Sequence, residues 1–368
     1  MRGIDLFAGG GGFSIGFTKN GFEIVKAVEF DKQIANTYLQ NHPEVNMIVD
    51  DIKNVVDNNM FKRNESDIII GGPPCQGFSM AGARIRDGFI DDERNYLFKH
   101  YVRAVKAILP KIFIMENVKG IKTMQNGKIF NEILNVYQNP DNFEGHKYNI
   151  YYKVLNAKDF GVPQARERMI IVGVRDVEID FENELKKARI NVKKQIPTYF
   201  NPVTVWDAIS NLGKATEDGI IEMPIPTTDY QKYLYCKQKV LYNHSSTKHS
   251  DKAIERMKKI NENENFMSLD EKINSVHSGS YGRLSKAGVA PTITTRFDTP
   301  SGGRFIHPVE NRTLTPREAA RIQSFPDSYR FFGSKTSIHK QIGNAVPPKL
   351  SFVLAKMVKN IINEYFEN

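Results

Sequence analysis

The sequence predicts an α/β fold: a mostly parallel sheet in the first half, followed by a second, smaller and loop-rich domain. Three observations predict it. Short β-rich runs alternate with helical stretches from Gly3 to Val174, as strands joined by crossover helices do. Ile68-Ile69-Ile70 is apolar on consecutive residues, as in a buried strand. Beyond Arg175 the periodicity weakens, and Pro197, Pro202, Pro224, Pro226, Pro291, Pro300 and Pro308 punctuate the chain towards Asn311.

The elements follow in order. Gly3 to Phe7 reads as a strand, and a helix starts at Phe13 after a glycine loop. A strand from Ile24 to Phe30 precedes a helix from Lys32 to Asn41, and Met47 to Val49 is a short strand. Asp67 to Ile70 is a buried strand; Asn95 to Ile108 is a helix ended by Pro110. Ile112 to Met115 and Met169 to Val174 are further strands. Helical signal returns at Thr315-Pro316-Arg317-Glu318, where Thr315 can cap and Pro316 suits the first turn. The last helix starts near Pro348. Expected boundaries are a first domain over 1–180 completed by 331–368, a second domain over 181–311, and a hinge over 312–330.

Composition narrows the function classes. No apolar run approaches the ~20 residues of a membrane span, and Met1 to Phe7 is too short and polar for a signal peptide. With no address in the sequence, the expected location is cytoplasmic. The two cysteines, Cys75 and Cys236, make neither a disulfide framework nor a four-ligand zinc site, so no metal is expected. Net charge is +9, which suits a polyanionic partner. The excess is uneven: Glu184 to Ile260 holds 14 Lys and Arg against 8 Asp and Glu.

Four stretches carry chemistry. Asp5-Leu6-Phe7-Ala8-Gly9-Gly10-Gly11-Gly12-Phe13 lies between strand and helix, where a nucleotide-like ligand can approach backbone closely. Glu29, ending the next strand, can hold ribose hydroxyls; Gly16 falls one residue too far for the dinucleotide glycine fingerprint. The loop could also be a tight turn with no ligand. Gly71-Gly72-Pro73-Pro74-Cys75-Gln76-Gly77-Phe78-Ser79 places Cys75 at a strand's carboxyl end, in a rigid polar loop unlike the usual apolar surroundings of a lone cysteine. The long segment after it, to Arg94, has the character of a lid. Glu116-Asn117-Val118 puts a carboxyl group at the next strand end, to hold a base edge or merely to cap a helix. Gln164-Ala165-Arg166-Glu167-Arg168 puts two arginines on one face of an entering strand, for a phosphate, a base oxygen or a carboxylate, or as a surface ion pair with Glu167.

Taken together, DLFAGGGGF, GGPPCQGFS, ENV, QARERMIIVGVR, RTLTPREAARIQSFPD and QIGNAVPP resemble, in order and over nearly the whole chain, the DNA (cytosine-5) methyltransferase family of bacterial restriction-modification systems. The resemblance implies a Rossmann-like S-adenosylmethionine-dependent methyltransferase domain with a smaller target-recognition domain. It implies Cys75 as nucleophile, Glu116 as the base-holding glutamate, and Arg166 and Arg168 as active-site arginines. The implied pocket for S-adenosylmethionine is Phe7, Gly9, Gly10, Gly12, Glu29, Asp51, Ile52, Pro74, Asn344 and Val346. Phe30 stands where some relatives carry a tryptophan beside the adenine. The implied partner is double-stranded DNA, met by a monomer, with a cognate endonuclease acting separately on the same site.

The implied mechanism is attack of the Cys75 thiolate on C6 of a flipped cytosine, Glu116 easing the charge at N3, and methyl transfer to C5. Sequence readout is expected between about Asp180 and Asn311, with the base readers between Pro197 and Asn265, where Tyr230 to His244 mixes aromatic, basic and amide side chains, and with phosphate clamping by Arg283, Arg296 and Arg304. Lys186, Lys187, Lys193 and Lys194 are expected on a solvated face, and Trp206 in a core. Rival readings are a tRNA cytosine-5 methyltransferase of the same fold and an inactive DNA-binding homologue. The long variable region disfavours the first, the intact catalytic positions the second. Glycine spacing disfavours a dinucleotide oxidoreductase.

Overall fold

The computed structural model describes residues 1–74, 96–271, 273, 275 and 278–367. Cys75 and the expected lid up to Arg94 lie outside the described residues.

The strands are β1 (Arg2–Leu6), β2 (Glu23–Val28), β3 (Asn46–Ile48), β4 (Ile68–Gly71), β5 (Ile112–Val118), β6 (Tyr148–Asn156), β7 (Gln164–Ala165), β8 (Glu167–Arg175), β9 (Ile221–Glu222), β10 (Val240–Leu241) and β11 (Ala290–Pro291). Seven of them form one sheet in the order β3-β2-β1-β4-β5-β8-β6. The first five in that order run parallel, whereas β8 is antiparallel to both β5 and β6. The order turns back at β1, so a crevice is expected beyond the carboxyl ends of β1 and β4.

Period-two alternation explains why these runs are strands and what they bury. Ile68 and Ile70 of β4, Ile112 and Ile114 of β5, and Ile170, Val172 and Val174 of β8 share one core; Ile69, Phe113, Met115 and Ile171 point into the other. Both faces are therefore covered. Helices α1 (Gly12–Thr18) and α2 (Lys32–Asn41) follow β1 and β2; α3 (Ile52–Asp57), α4 (Tyr96–Ile108) and α5 (Lys128–Gln138) cover the second core. Truncating Ile69, fully buried, to alanine is worth about 2–5 kcal/mol of stability.

The segment expected to be weakly periodic begins with a helix. In α6 (Phe181–Gln195), Phe181, Leu185, Ala188 and Val192 bury a thin stripe in the first core, against the C-terminal helix. Lys193 and Lys194 are exposed on α6, while Lys187 pairs with Glu184 and Glu364. A third core then gathers α7 (Val205–Ile209), α8 (Asp229–Leu234) and the segment Leu284 to Phe305, while α9 (Asp251–Lys258) packs with Tyr281 and Ile306. Trp206 packs only partly buried at the edge of the third core. Helices α10 (Pro316–Ile322) and α11 (Lys335–Asn344) belong to this core too; α12 (Pro348–Tyr365) returns to the first. Thr315 caps α10 in a capping box with Glu318, and Pro316 takes the first turn.

Candidate active site

Among the described residues, a cavity of about 1430 Å³ opens at the carboxyl ends of β1, β2, β4 and β5. Phe7, Gly9, Gly10, Gly12, Glu29, Asp51, Ile52, Pro74, Glu116, Arg166, Arg168, Asn344 and Val346 all line it. The fold thus brings together every site residue that the sequence suggests except Cys75, which is not among those described. The volume exceeds the roughly 300–1,000 Å³ usual for one small ligand, leaving room for two reactants.

The loop after β1 is shaped by left-handed backbone. Phe7, Gly9 and Gly11 have φ of 56°, 54° and 75°. At Phe7 the conformation is strained, as residues held at binding sites often are. Gly9 is the open glycine: a Cβ there would meet nothing nearer than 3.9 Å. Gly12 serves packing as well, since a Cβ would lie 2.4 Å from the Val346 carbonyl oxygen. This close approach is how α12's entry reaches the cavity.

Glu29 spans the loop. Its Oε2 accepts the Gly9 N–H at 2.9 Å and its Oε1 the Asp31 N–H at 2.9 Å. Each oxygen keeps a lone pair for a ligand hydroxyl. Burial, chiefly, raises its pKa. Beside it Phe30 is 71% exposed, an apolar ring face at the cavity. Asp51 caps α3 by accepting the Lys53 N–H at 2.8 Å, so part of its carboxylate is already engaged.

The opposite wall is polar and incompletely satisfied. Arg168 Nε lies 2.8 Å from Glu116 Oε1, yet that buried oxygen makes no hydrogen bond. Arg166 is 1% exposed; it donates to the Ile293 carbonyl oxygen at 3.3 Å and leaves Nε without a partner. Burial first, then the charge of Arg168, weakens its hold on its proton, with Glu116 opposing. Unpartnered buried polar atoms cost about 1–3 kcal/mol each, and a ligand can satisfy them. Glu116 does not cap a helix. Glu167 pairs with Lys119 rather than with its neighbouring arginines.

Strand direction makes this wall. Antiparallel register sets Val118 opposite Arg168 and Glu116 opposite Ile170. In a parallel strand, the entrance of β8 would lie at the far edge of the sheet. Asn117 steadies the proline loop by donating to the Pro73 carbonyl oxygen at 3.2 Å. From the second region, β11 pairs parallel with β7, the Thr292 hydroxyl donates to the Ala165 carbonyl oxygen at 3.0 Å, and Ile293 N–H to Gln164 Oε1 at 2.8 Å.

Sequence reasoning missed Asp5, Lys340 and Gln341, which also line the cavity. The signals were available: Asp5 is a carboxylate between Ile4 and Leu6 of a buried strand, and Lys340 and Gln341 lie one helical turn before Asn344.

The chain matches, over residues 1–360, the model of the family described as C-5 cytosine-specific DNA methylase. It belongs to that family. The enzyme is a DNA cytosine-5 methyltransferase, and its relatives are of the restriction-modification kind. Type II methyltransferase M1.HphI of Haemophilus parahaemolyticus is 34% identical, over 96% of this chain and 86% of its own. Type II methyltransferase M.DdeI of Desulfomicrobium norvegicum is 35% identical, over 100% and 90%. Among solved structures, a DNA modification methyltransferase encoded within a prophage of E. coli superposes with TM-score 0.74 at 29% identity, covering 99% of each chain. The S. pombe Dnmt2 methyltransferase shares the fold, with TM-score 0.61 at 14% identity.

Several expected DNA contacts need correction. Arg283 is buried, and its guanidinium donates to the carbonyl oxygens of Met257, Ile260, His307 and Glu310 and to Asn311 Oδ1. Arg304 donates to the carbonyl oxygens of Glu264 and Arg283. Arg283 therefore braces backbone with its whole guanidinium, whereas half-buried Arg304 does so through Nη1 alone. Arg296 alone of the three is exposed, and among the described residues its guanidinium makes no hydrogen bond. In the expected readout segment, Tyr230, Gln231 and His244 are buried, and Asn243 holds the backbone of Phe331 through both side-chain atoms. Lys232, Tyr235, Lys237 and Lys239 are the exposed residues there.

Proposed function

We propose that this enzyme moves a methyl group from S-adenosylmethionine to C5 of a cytosine extruded from a specific duplex DNA sequence, through a covalent bond between Cys75 and C6. The observation that carries the reading is one cavity with a nucleoside-like half and an unsatisfied polar half. The first half is Phe7, Gly9, Glu29 and Phe30; the second is Glu116, Arg166 and Arg168. These residues fit the cofactor: an exposed aromatic ring suits a purine, an open glycine admits close backbone approach, and a carboxylate with free lone pairs suits ribose hydroxyls. Asp51, Ile52, Pro74, Asn344 and Val346 complete that half.

When bound, S-adenosylmethionine supplies a methyl group made electrophilic by its sulfonium. Cys75, directly after Pro74, adds as thiolate to C6 and turns C5 into a nucleophile. Glu116 shares a proton with ring N3 and draws off the charge that develops. Arg168 orients Glu116, and Arg166 braces the same wall against Ile293. Loss of the C5 proton to a base then breaks the Cys75–C6 bond. The target must leave the stack, at a cost of a few kcal/mol. Phosphate contact is assigned to Arg296 and Lys340, and base readout to the exposed residues between Pro197 and Asn265.

Duplex DNA carrying 5-fluorocytosine at the target tests the reading. Wild type forms a complex stable to denaturant, Cys75→Ala does not, and an adduct in the variant would refute the assignment. Tritiated methyl transfer is expected to duplex DNA and not to tRNA. Exchanging Pro197 to Asn265 for the counterpart from a relative of other specificity, then bisulfite sequencing, is expected to move the methylated sites; an active chimera marking the original sites places readout elsewhere.

A further inference from the structure

Beneath the glycine loop lies a buried chain of polar groups that the proposed mechanism does not use. The Ser14 hydroxyl donates to Asp5 Oδ2 at 2.6 Å, and the Tyr38 hydroxyl lies 2.7 Å from Ser14 Oγ. A serine hydroxyl has one proton, so with Asp5 ionised Tyr38 must donate to Ser14. The chain runs from α2 through α1 to β1, and its inner end, Asp5, faces the cavity.

Asp5 is 1% exposed. The ionisable groups acting on it, or on which it acts, are Glu29, Tyr38, Tyr101 and Tyr329, all of them acids. The His42 ring, tilted against Tyr38 with centroids 4.7 Å apart, is disfavoured as a cation by its own burial. None of these supplies the positive charge that a buried carboxylate needs. Burial, opposed by the Ser14 hydrogen bond and reinforced by Glu29, pushes the Asp5 carboxyl up to about 7. At neutral pH it is poised between its two forms.

We propose that Asp5 is a charge-matching residue of the cofactor pocket: a cationic ligand entering the cavity draws the proton off Asp5, and the Tyr38–Ser14 chain turns to donate towards the carboxylate it leaves. The inference rests on the cofactor reading above, since S-adenosylmethionine carries the net positive charge required. The balance is simple. The neutral carboxyl and the cation become an ion pair, and one proton passes to buffer. Affinity must rise with pH while Asp5 is protonated in the free enzyme, and level off once it is ionised.

Calorimetric titration of the whole enzyme with S-adenosylmethionine, in two buffers of different ionisation enthalpy, counts the protons. Wild type is expected to release about half a proton near pH 7 and to bind up to about tenfold tighter per pH unit below it. Asp5→Asn keeps an acceptor for Ser14 and is expected to bind with no release and a flat profile. Tyr38→Phe removes a donor from the chain and is expected to shift the midpoint upward while release persists, a change that loss of packing alone does not produce. Binding by wild type without proton exchange from about pH 6 to about pH 7 overturns the inference. So does undiminished release in Asp5→Asn, which would make Glu29 the source. Absence of binding at every pH would instead overturn the cofactor reading, so the two failures are distinct.

Discussion

The cavity wall and the region around α10 both bury arginines, and they use them in opposite ways. At the cavity, Arg166 Nε is buried without a hydrogen bond, and Glu116 Oε1, ion-paired with Arg168 at 2.8 Å, accepts none either. Around α10, Arg321 binds Asp327 through two nitrogens at 2.8 and 2.9 Å and also reaches the Ala208 carbonyl oxygen and Asn211. Arg312 likewise meets both oxygens of Glu318 at 2.8 Å, which holds that carboxyl down at about 2. The difference separates groups that hold the fold from groups that await a partner. Lack of a partner does not suffice alone: Tyr137 Oη is also unpartnered, and it is not part of the cavity lining.

Five substitutions can break or sharpen this contrast. The largest effect is expected for Arg321→Met, which leaves Asp327 charged, buried and unpaired. Unfolding free energy should fall by about 3–5 kcal/mol, read as a lower urea midpoint. A midpoint equal to wild type would mean the satisfied network is dispensable. Glu116→Gln should instead leave the midpoint nearly unchanged and lower kcat by about 100- to 1000-fold, with DNA affinity little altered. Turnover like wild type would reduce Glu116 to a packing role. For Glu29→Ala, loss of a charged hydrogen-bond acceptor should weaken S-adenosylmethionine about 10- to 100-fold in calorimetry; unchanged affinity would place the ribose elsewhere. The smallest effect is expected for Arg296→Ala: the slope of log affinity for DNA against log salt should fall by about one, uniformly across sequences. Arg283→Ala should not act as a phosphate contact does; if it lowers that slope equally without loss of stability, its assignment as a brace fails.

The contrast also shows what could be read from sequence and why the rest could not. Glu29 and Glu116 were legible because the carboxyl end of a strand fixes where its last residues emerge. The entry of Arg168 from an antiparallel strand was not, because direction depends on which neighbour a strand pairs with. The fates of Arg283 and Arg296 were indistinguishable too. Both sit among glycines and threonines, and only tertiary structure sets four carbonyl oxygens around one of them. Helix α6 carried its signal in Phe181, Leu185, Ala188 and Val192, a stripe thin enough to be masked by the charges between. The segment from Tyr230 to His244 looked like a reader because tyrosines and amides serve recognition and scaffolding equally well.

The pairing of β7 with β11 has a consequence for how such enzymes diversify. Two residues at one end, Gln164 and Ala165, are clasped to two at the other, Ala290 and Pro291, right beside the arginine wall. After β8 and α6 have joined the first core, the chain between them makes an excursion from about residue 201 that returns to the arginine wall at a fixed point. Closing a longer excursion is entropically mild, about 0.6 kcal/mol for each doubling of length. Insertions and exchanges within it therefore leave the anchoring of Arg166 intact. The clasp holds the arginine wall in place whatever the length of the excursion.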